Sequence, residues 1–119
     1  MALQSYRDLH VWQQAMTLAE TCYELTRHFP KEELFGLTSQ IRRAASSVPA
    51  NIAEGYGRAS RKEYVQFLHV AQGSLKELET HLLLGARVRC CSEADVTPVL
   101  DGTEALGKML RALISKLRS

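Results

Sequence analysis

The residues most able to do chemistry are four cations near the middle of the chain, and the chemistry they could support is phosphate binding. Residues 31–62 hold six basic and three acidic side chains, whereas residues 63–119 balance to zero. The formal net charge of the whole chain is only +2. A local excess of cations favours an anionic partner such as RNA. The candidate nucleic-acid contacts are Arg42, Arg58, Arg61 and Lys62.

A second polar pattern recurs at spacings of three and four, which places its members on one face of a predicted helix. The stripe consists of Gln40, Arg43, Ser47, Asn51, Glu54 and Arg58. An ordered stripe with both charge signs indicates a specific contact, either with another subunit or with an anionic partner. We interpret four members as candidate subunit-interface residues: Arg43, Ser47, Asn51 and Glu54.

Within this stripe we expect Arg43 to meet Glu54 of a neighbouring subunit. Eleven positions separate the two, about 16 Å along a straight helix, so one helix cannot pair them. The alternative is that each is solvated or that Glu54 pairs locally with Arg58, four residues on.

Metal and catalytic chemistry are not indicated. The histidines lack the spacing of metal ligands, and the adjacent Cys90 and Cys91 cannot both face one ion from a regular helix. Ser39 is not in a nucleophile elbow, and no strand precedes Gly55 to form a phosphate loop. Glu54 has no second carboxylate or histidine near it in sequence. We therefore predict no metal, no cofactor and no enzymatic activity.

The elements that must position these residues are helices. In the first helix, two adjacent apolar stripes cover about half the circumference, more than one core requires. One stripe can fill a core while the other meets a neighbour. They are Leu9, Trp12, Met16, Ala19 and Tyr23, and Val11, Ala15, Leu18, Cys22 and Leu25.

The second helix is predicted to start near Lys31 to Glu33 and to run to about Gly57. Pro49 inside it predicts a kink or a break, although the unchanged apolar spacing around it favours continuity. Ser60 and Ser92 are predicted to cap the third and fourth helices, with Glu63 completing a capping box at Ser60.

Heptad-spaced apolar residues then run through both later helices. In the third they are Tyr64, Leu68, Ala71, Leu75, Leu78, Leu82 and Gly85; in the fourth they are Val96, Val99, Leu106, Leu110, Leu113 and Leu117. Four helices of similar length with short loops predict an all-α, antiparallel up-down-up-down four-helix bundle, and 119 residues suit one domain over 1–119.

Several motifs closely resemble the bacterial family of 23S ribosomal RNA intervening-sequence proteins. The core of the resemblance is Gly36 to Ala44, GLTSQIRRA, followed by NIAEG at Asn51 to Gly55. Further matches are Tyr6-Arg7-Asp8-Leu9, Val11-Trp12, Phe67-Leu68, Ala71, Ser74-Leu75 and Glu77-Leu78-Glu79. The resemblance implies a cytoplasmic four-helix bundle assembled into a ring of five subunits, with a proposed RNA or nucleoprotein role and no established activity.

We therefore expect a non-enzymatic homo-oligomer that binds RNA or a ribonucleoprotein. The alternative is a protein-interaction scaffold that does not touch nucleic acid. The first twelve residues lack the features of a signal peptide and no long apolar run is present, so we expect a cytoplasmic location and no membrane partner.

Overall fold

Four helices make up the fold in the computed structural model, which describes residues 4–119. They are α1 (His10–Thr26), α2 (Leu37–Tyr56), α3 (Arg61–Arg87) and α4 (Glu93–Arg118). Each helix packs against the next, and α1 also packs against α4, which closes the bundle. The molecule measures 43 × 23 × 23 Å, about the length of its longest helix. The prediction of an antiparallel up-down-up-down four-helix bundle is confirmed.

The two apolar stripes of α1 have different environments. Val11, Ala15, Leu18 and Cys22 are buried in the bundle core. In the adjacent stripe Leu9 and Ala19 are also buried, but Trp12 is only partly buried and Met16 and Tyr23 are 39% and 41% exposed. The core therefore uses one stripe and leaves much of the other on the surface.

The predicted start of α2 is wrong. Lys31–Glu33 forms a separate 3-10 turn, and the α-helix begins only at Leu37. Gly36 interrupts the helix because its backbone, at φ −111° and ψ −111°, is not helical. The Glu33 carboxylate then accepts a hydrogen bond from the Leu37 N–H at 3.0 Å and replaces the missing cap.

Pro49 does not break α2. The helix is continuous from Leu37 to Tyr56, as the unchanged apolar spacing favoured. Pro49 itself is buried, as are Val48 and Ile52 on the core face of the helix. The next residue, Ala50, is exposed.

Serine caps open both later helices, as predicted. Ser60 Oγ accepts a hydrogen bond from the Glu63 N–H at 3.1 Å, and Ser92 Oγ accepts one from the Asp95 N–H at 3.0 Å. The capping box at Ser60 differs from the prediction. In a capping box the Glu63 carboxylate would accept a hydrogen bond from the Ser60 backbone N–H; here it accepts one from the Ser60 hydroxyl at 3.2 Å.

One apolar cluster fills the centre of the bundle, and most heptad positions of α3 and α4 belong to it. Tyr64, predicted as core, is half-buried and packs edge to face on Tyr56 with ring centroids 6.0 Å apart. Leu113 and Leu117 are partly buried, while Ile114 takes the deeper position.

None of the helices in residues 4–119 carries an apolar stretch long enough to cross a bilayer.

Candidate subunit and nucleic-acid interfaces

An apolar groove of about 720 Å³ lies between α1 and α2 on the surface of the bundle. Its lining is Tyr6, Trp12, Met16, Ala19, Glu20, Tyr23, Glu24, Arg27, Ser46, Pro49, Ala50 and Ala53. We call it the α1–α2 groove. Aromatic and aliphatic side chains of α1 form one wall, and the small residues of α2 form the other. The α1 wall is the exposed part of the apolar surface that the sequence predicted to meet a neighbour.

Arg42 lies just beyond the groove and is held by α1. Its guanidinium stacks 4.6 Å from the centre of the Tyr23 ring, and its Nε donates a hydrogen bond to Thr26 Oγ1 at 2.9 Å. These contacts tie the α1 and α2 helices together near one end of the bundle. A structural role therefore accounts for the contacts of Arg42.

Ser47 and Asn51 face α3 within the same chain. Ser47 Oγ lies 2.8 Å from Ser74 Oγ on α3. The Asn51 side-chain amide donates to the Ser47 carbonyl oxygen at 2.8 Å and lies 3.0 Å from Ser47 Oγ. Both residues are partly buried, so this network contributes to the packing of α2 against α3.

Arg43 and Glu54 are exposed on the remaining face of α2. Glu54 pairs with Arg58 at 2.9 Å, the local alternative raised by the sequence. The Arg58 guanidinium also lies 4.8 Å from the Phe67 ring centre. Within residues 4–119, Arg43 forms no ion pair. Its charge is therefore available to a partner.

The antiparallel topology collects cations at one end of the bundle. The Thr103 hydroxyl on α4 donates a hydrogen bond to the Glu79 carboxylate on α3 at 3.1 Å, and Gly107 on α4 lies against Leu75 on α3. Continuing this register places the end of α4 beside the first turn of α3. Residues 4–9, 54–64 and 115–119 then form what we call the basic end, with six cations and three carboxylates. Its cations are Arg7, Arg58, Arg61, Lys62, Lys116 and Arg118.

The four predicted nucleic-acid contacts do not form one patch. Arg58, Arg61 and Lys62 lie together at the basic end, but Arg42 lies sixteen positions before Arg58, about 24 Å away along α2. The opposite end, residues 24–36 and 86–95, holds four cations and five carboxylates. The bundle is thus electrostatically polar along its length.

Sequence reasoning missed two features of this surface. Lys116 and Arg118 suit the negative end of the α4 dipole, so their position in the sequence alone indicates no ligand, and only the topology brings them to the basic end. The exposed pair Leu34 and Phe35, at 50% and 94% exposure, was not singled out either. Two adjacent apolar residues before a glycine in a predicted helix could have signalled a projecting turn.

The thiols and carboxylates do not form a metal site. Across residues 4–119, no three His, Cys, Asp or Glu side chains are placed to hold a metal ion. Burial raises the pKa of the Cys22 thiol to about 12. Burial, followed by nearby carboxylates, also raises the pKa of Cys90. A raised pKa lowers the thiolate fraction, and thiolate is the reactive form.

Comparison with known proteins agrees with this architecture. A family model described as 23S rRNA-intervening sequence protein matches residues 7–112. A crystal structure from Bacteroides thetaiotaomicron, of a protein with unknown function from the S23 ribosomal protein family, superimposes with a TM-score of 0.81. It is 23% identical, and the match covers 87% of this chain and 97% of that one. No curated protein matches the sequence significantly.

Proposed function

This chain belongs to the family of 23S rRNA-intervening sequence proteins, and from that premise we propose a function as a non-enzymatic, cytoplasmic assembly protein. Its chains form a closed homo-oligomer, a ring of five, that binds RNA or a ribonucleoprotein through the basic end. The α1–α2 groove supports the assembly, and the clustered cations support the RNA contact.

The groove is the observation that carries the proposal. Tryptophan, tyrosine and methionine are enriched in the buried centres of protein interfaces, and the wall of this groove contains all three. A large exposed apolar patch on a protein surface marks an interaction site. A second copy of the chain that covers the groove would remove Met16 and Tyr23 from water.

The basic end supports the choice of RNA as partner. Arg61, Lys62, Lys116 and Arg118 are exposed, and within residues 4–119 none of them forms an ion pair. A ring would repeat these cations once in every subunit, which multiplies the contacts available to a single RNA strand.

A filter-binding or electrophoretic assay with single-stranded RNA tests this part of the proposal. The wild type should bind at low salt, with log affinity falling against log salt by about 0.7 for each phosphate neutralised. Changing Arg61, Lys62, Lys116 and Arg118 to alanine should abolish binding and leave the oligomer intact.

A control variant removes the same number of cations elsewhere: Lys76, Arg87, Arg89 and Lys108 to alanine. It should retain most of the affinity, because only the location of the charges differs. Equal losses in both variants would reject a specific role for the basic end.

The alternative function is a protein-interaction scaffold without nucleic-acid binding. Its specific support is that two of the four predicted phosphate contacts already have partners. Arg42 is held by Tyr23 and Thr26, and Arg58 by Glu54 and Phe67. A wild-type oligomer that fails to bind RNA even at low salt would favour this alternative.

A further inference from the structure

Leu34 and Phe35 project from the turn between α1 and α2. Phe35 is 94% exposed, and Leu34 beside it is 50% exposed. The turn is well fixed, since Gly36 is held between the 3-10 turn and α2 and the Glu33 carboxylate caps the helix. We call this pair the apolar knob. A fixed knob of this kind loses little conformational entropy on insertion into a partner.

The same chain carries a matching recess. The α1–α2 groove is apolar and has small residues, Pro49, Ala50 and Ala53, along one side. The knob lies at the α2 start, about 21 Å along the helix axis from Pro49, and so does not fill the groove of its own chain.

We propose that the apolar knob of one copy inserts into the α1–α2 groove of the next copy. The inference rests on the proposed assembly and specifies its contact. Each subunit then gives a knob to one neighbour and receives one from the other, a head-to-tail arrangement that can close into a ring.

Charges around the two surfaces are complementary. Near the knob, Lys31, Arg42 and Arg43 outnumber the carboxylates of Glu32 and Glu33 by one, and both arginines line the same surface hollow as Phe35. In the groove, Glu20 and Glu24 outnumber Arg27 by one. Opposite charges around an apolar contact favour this orientation and disfavour others.

The stagger along α2 also agrees with a second contact. Seating Phe35 against Pro49 shifts one copy by fourteen residues, about 21 Å, relative to the other. Bringing Arg43 to Glu54 requires eleven residues, about 16 Å. The two shifts differ by less than one helical turn, so one head-to-tail arrangement can accommodate both contacts. With a shift of this size, the ring closes only when the long axes of the bundles run around the ring rather than parallel to its axis.

A two-fold arrangement is disfavoured. Reciprocal insertion of knob into groove would centre the symmetry axis midway between Phe35 and Pro49, at Arg42 and Arg43. The arginines of the two copies would then face each other with like charges.

Trp12 offers a direct test because it is the single tryptophan of the chain and it lines the groove. Phe35→Glu removes the knob and keeps the groove. A second variant carries Ala50→Glu, which blocks the groove, and Trp12→Phe, which removes its fluorescence. In a mixture of the two, only the Phe35→Glu chain contains a tryptophan, so the fluorescence reports on its intact groove alone.

Phe35→Glu alone should be monomeric, with Trp12 emission at longer wavelength and stronger acrylamide quenching than in the wild type. Adding the second variant should shift the emission back to shorter wavelength, reduce the quenching and give a heterodimer with one knob in one groove. Adding a chain that also carries Phe35→Glu should leave the spectrum unchanged. Val70→Glu, at a 51% exposed site on α3, should assemble like the wild type.

The remaining outcomes separate the two proposals. A Phe35→Glu variant that assembles like the wild type, or a mixture that shows no fluorescence change and no heterodimer, overturns the knob but leaves the assembly standing. A wild type that is monomeric overturns both. Circular dichroism of each variant should match the wild type, because the three glutamates replace exposed side chains and Trp12→Phe exchanges one aromatic ring for another.

Discussion

Gly55 shows at the residue scale how closely α2 and α3 approach. A Cβ added there would lie 2.8 Å from the Phe67 Cβ and 3.1 Å from the Tyr64 carbonyl oxygen. Gly73 is the opposite case, since a Cβ there would meet nothing within 4 Å. The two glycines are both helical, so they form a matched pair.

Gly55→Ala should lower the free energy of unfolding by about 1–3 kcal/mol, the usual cost of overpacking. Gly73→Ala should raise it by about 0.5–1 kcal/mol, because alanine is the better helix former and has free space. Urea titration of both variants checks the pair. Equal effects of the same sign would show that the close approach at Gly55 is not a real constraint.

At the scale of the elements, helical spacing predicted much of the fold. The positions Leu68, Ala71, Leu75, Leu78 and Leu82 follow one heptad pattern and are all buried. Spacing succeeds here because burial of one apolar face is what holds a bundle helix in place.

The start of α2 could not be predicted in the same way. Acidic residues near Lys31 suited a helix start, but the Glu33 side chain instead caps a helix that begins four residues later. A side-chain cap across a glycine depends on local geometry, which residue types alone do not specify. The same limit applies to the basic end, which depends on the register of α4 against α3.

The exposed face of α2 makes a prediction about assembly through Arg43 and Glu54. Reversing either charge alone should weaken or dissociate the oligomer, because like charges would then face each other across the subunit boundary. The double reversal, Arg43→Glu with Glu54→Arg, should restore at least part of it. Size-exclusion chromatography of the three variants measures this.

Glu104→Lys on α4 is the matched control. It breaks the exposed Glu104–Lys108 pair, and it should leave the oligomer unchanged. A double reversal no better than the single ones would count against the intersubunit pair. The local Glu54–Arg58 pair would then be the whole role of Glu54, contributing only about 0.3–0.5 kcal/mol.

At the scale of the whole molecule, the long axis separates two kinds of surface. The basic end gathers residues from three distant stretches of sequence, so a running count of charges detected only the part near Arg61 and Lys62. The groove and the apolar knob likewise become a matched pair only when α1 and α2 are folded together. The proposed function depends on how many copies assemble.

The mass of the wild-type particle in solution tests that assembly most directly. Multi-angle light scattering at micromolar concentration should give the mass of five 13.3 kDa chains. A dimer would retain a subunit interface but reject the ring. A mass of one chain would contradict the assembly and every subunit contact derived from it.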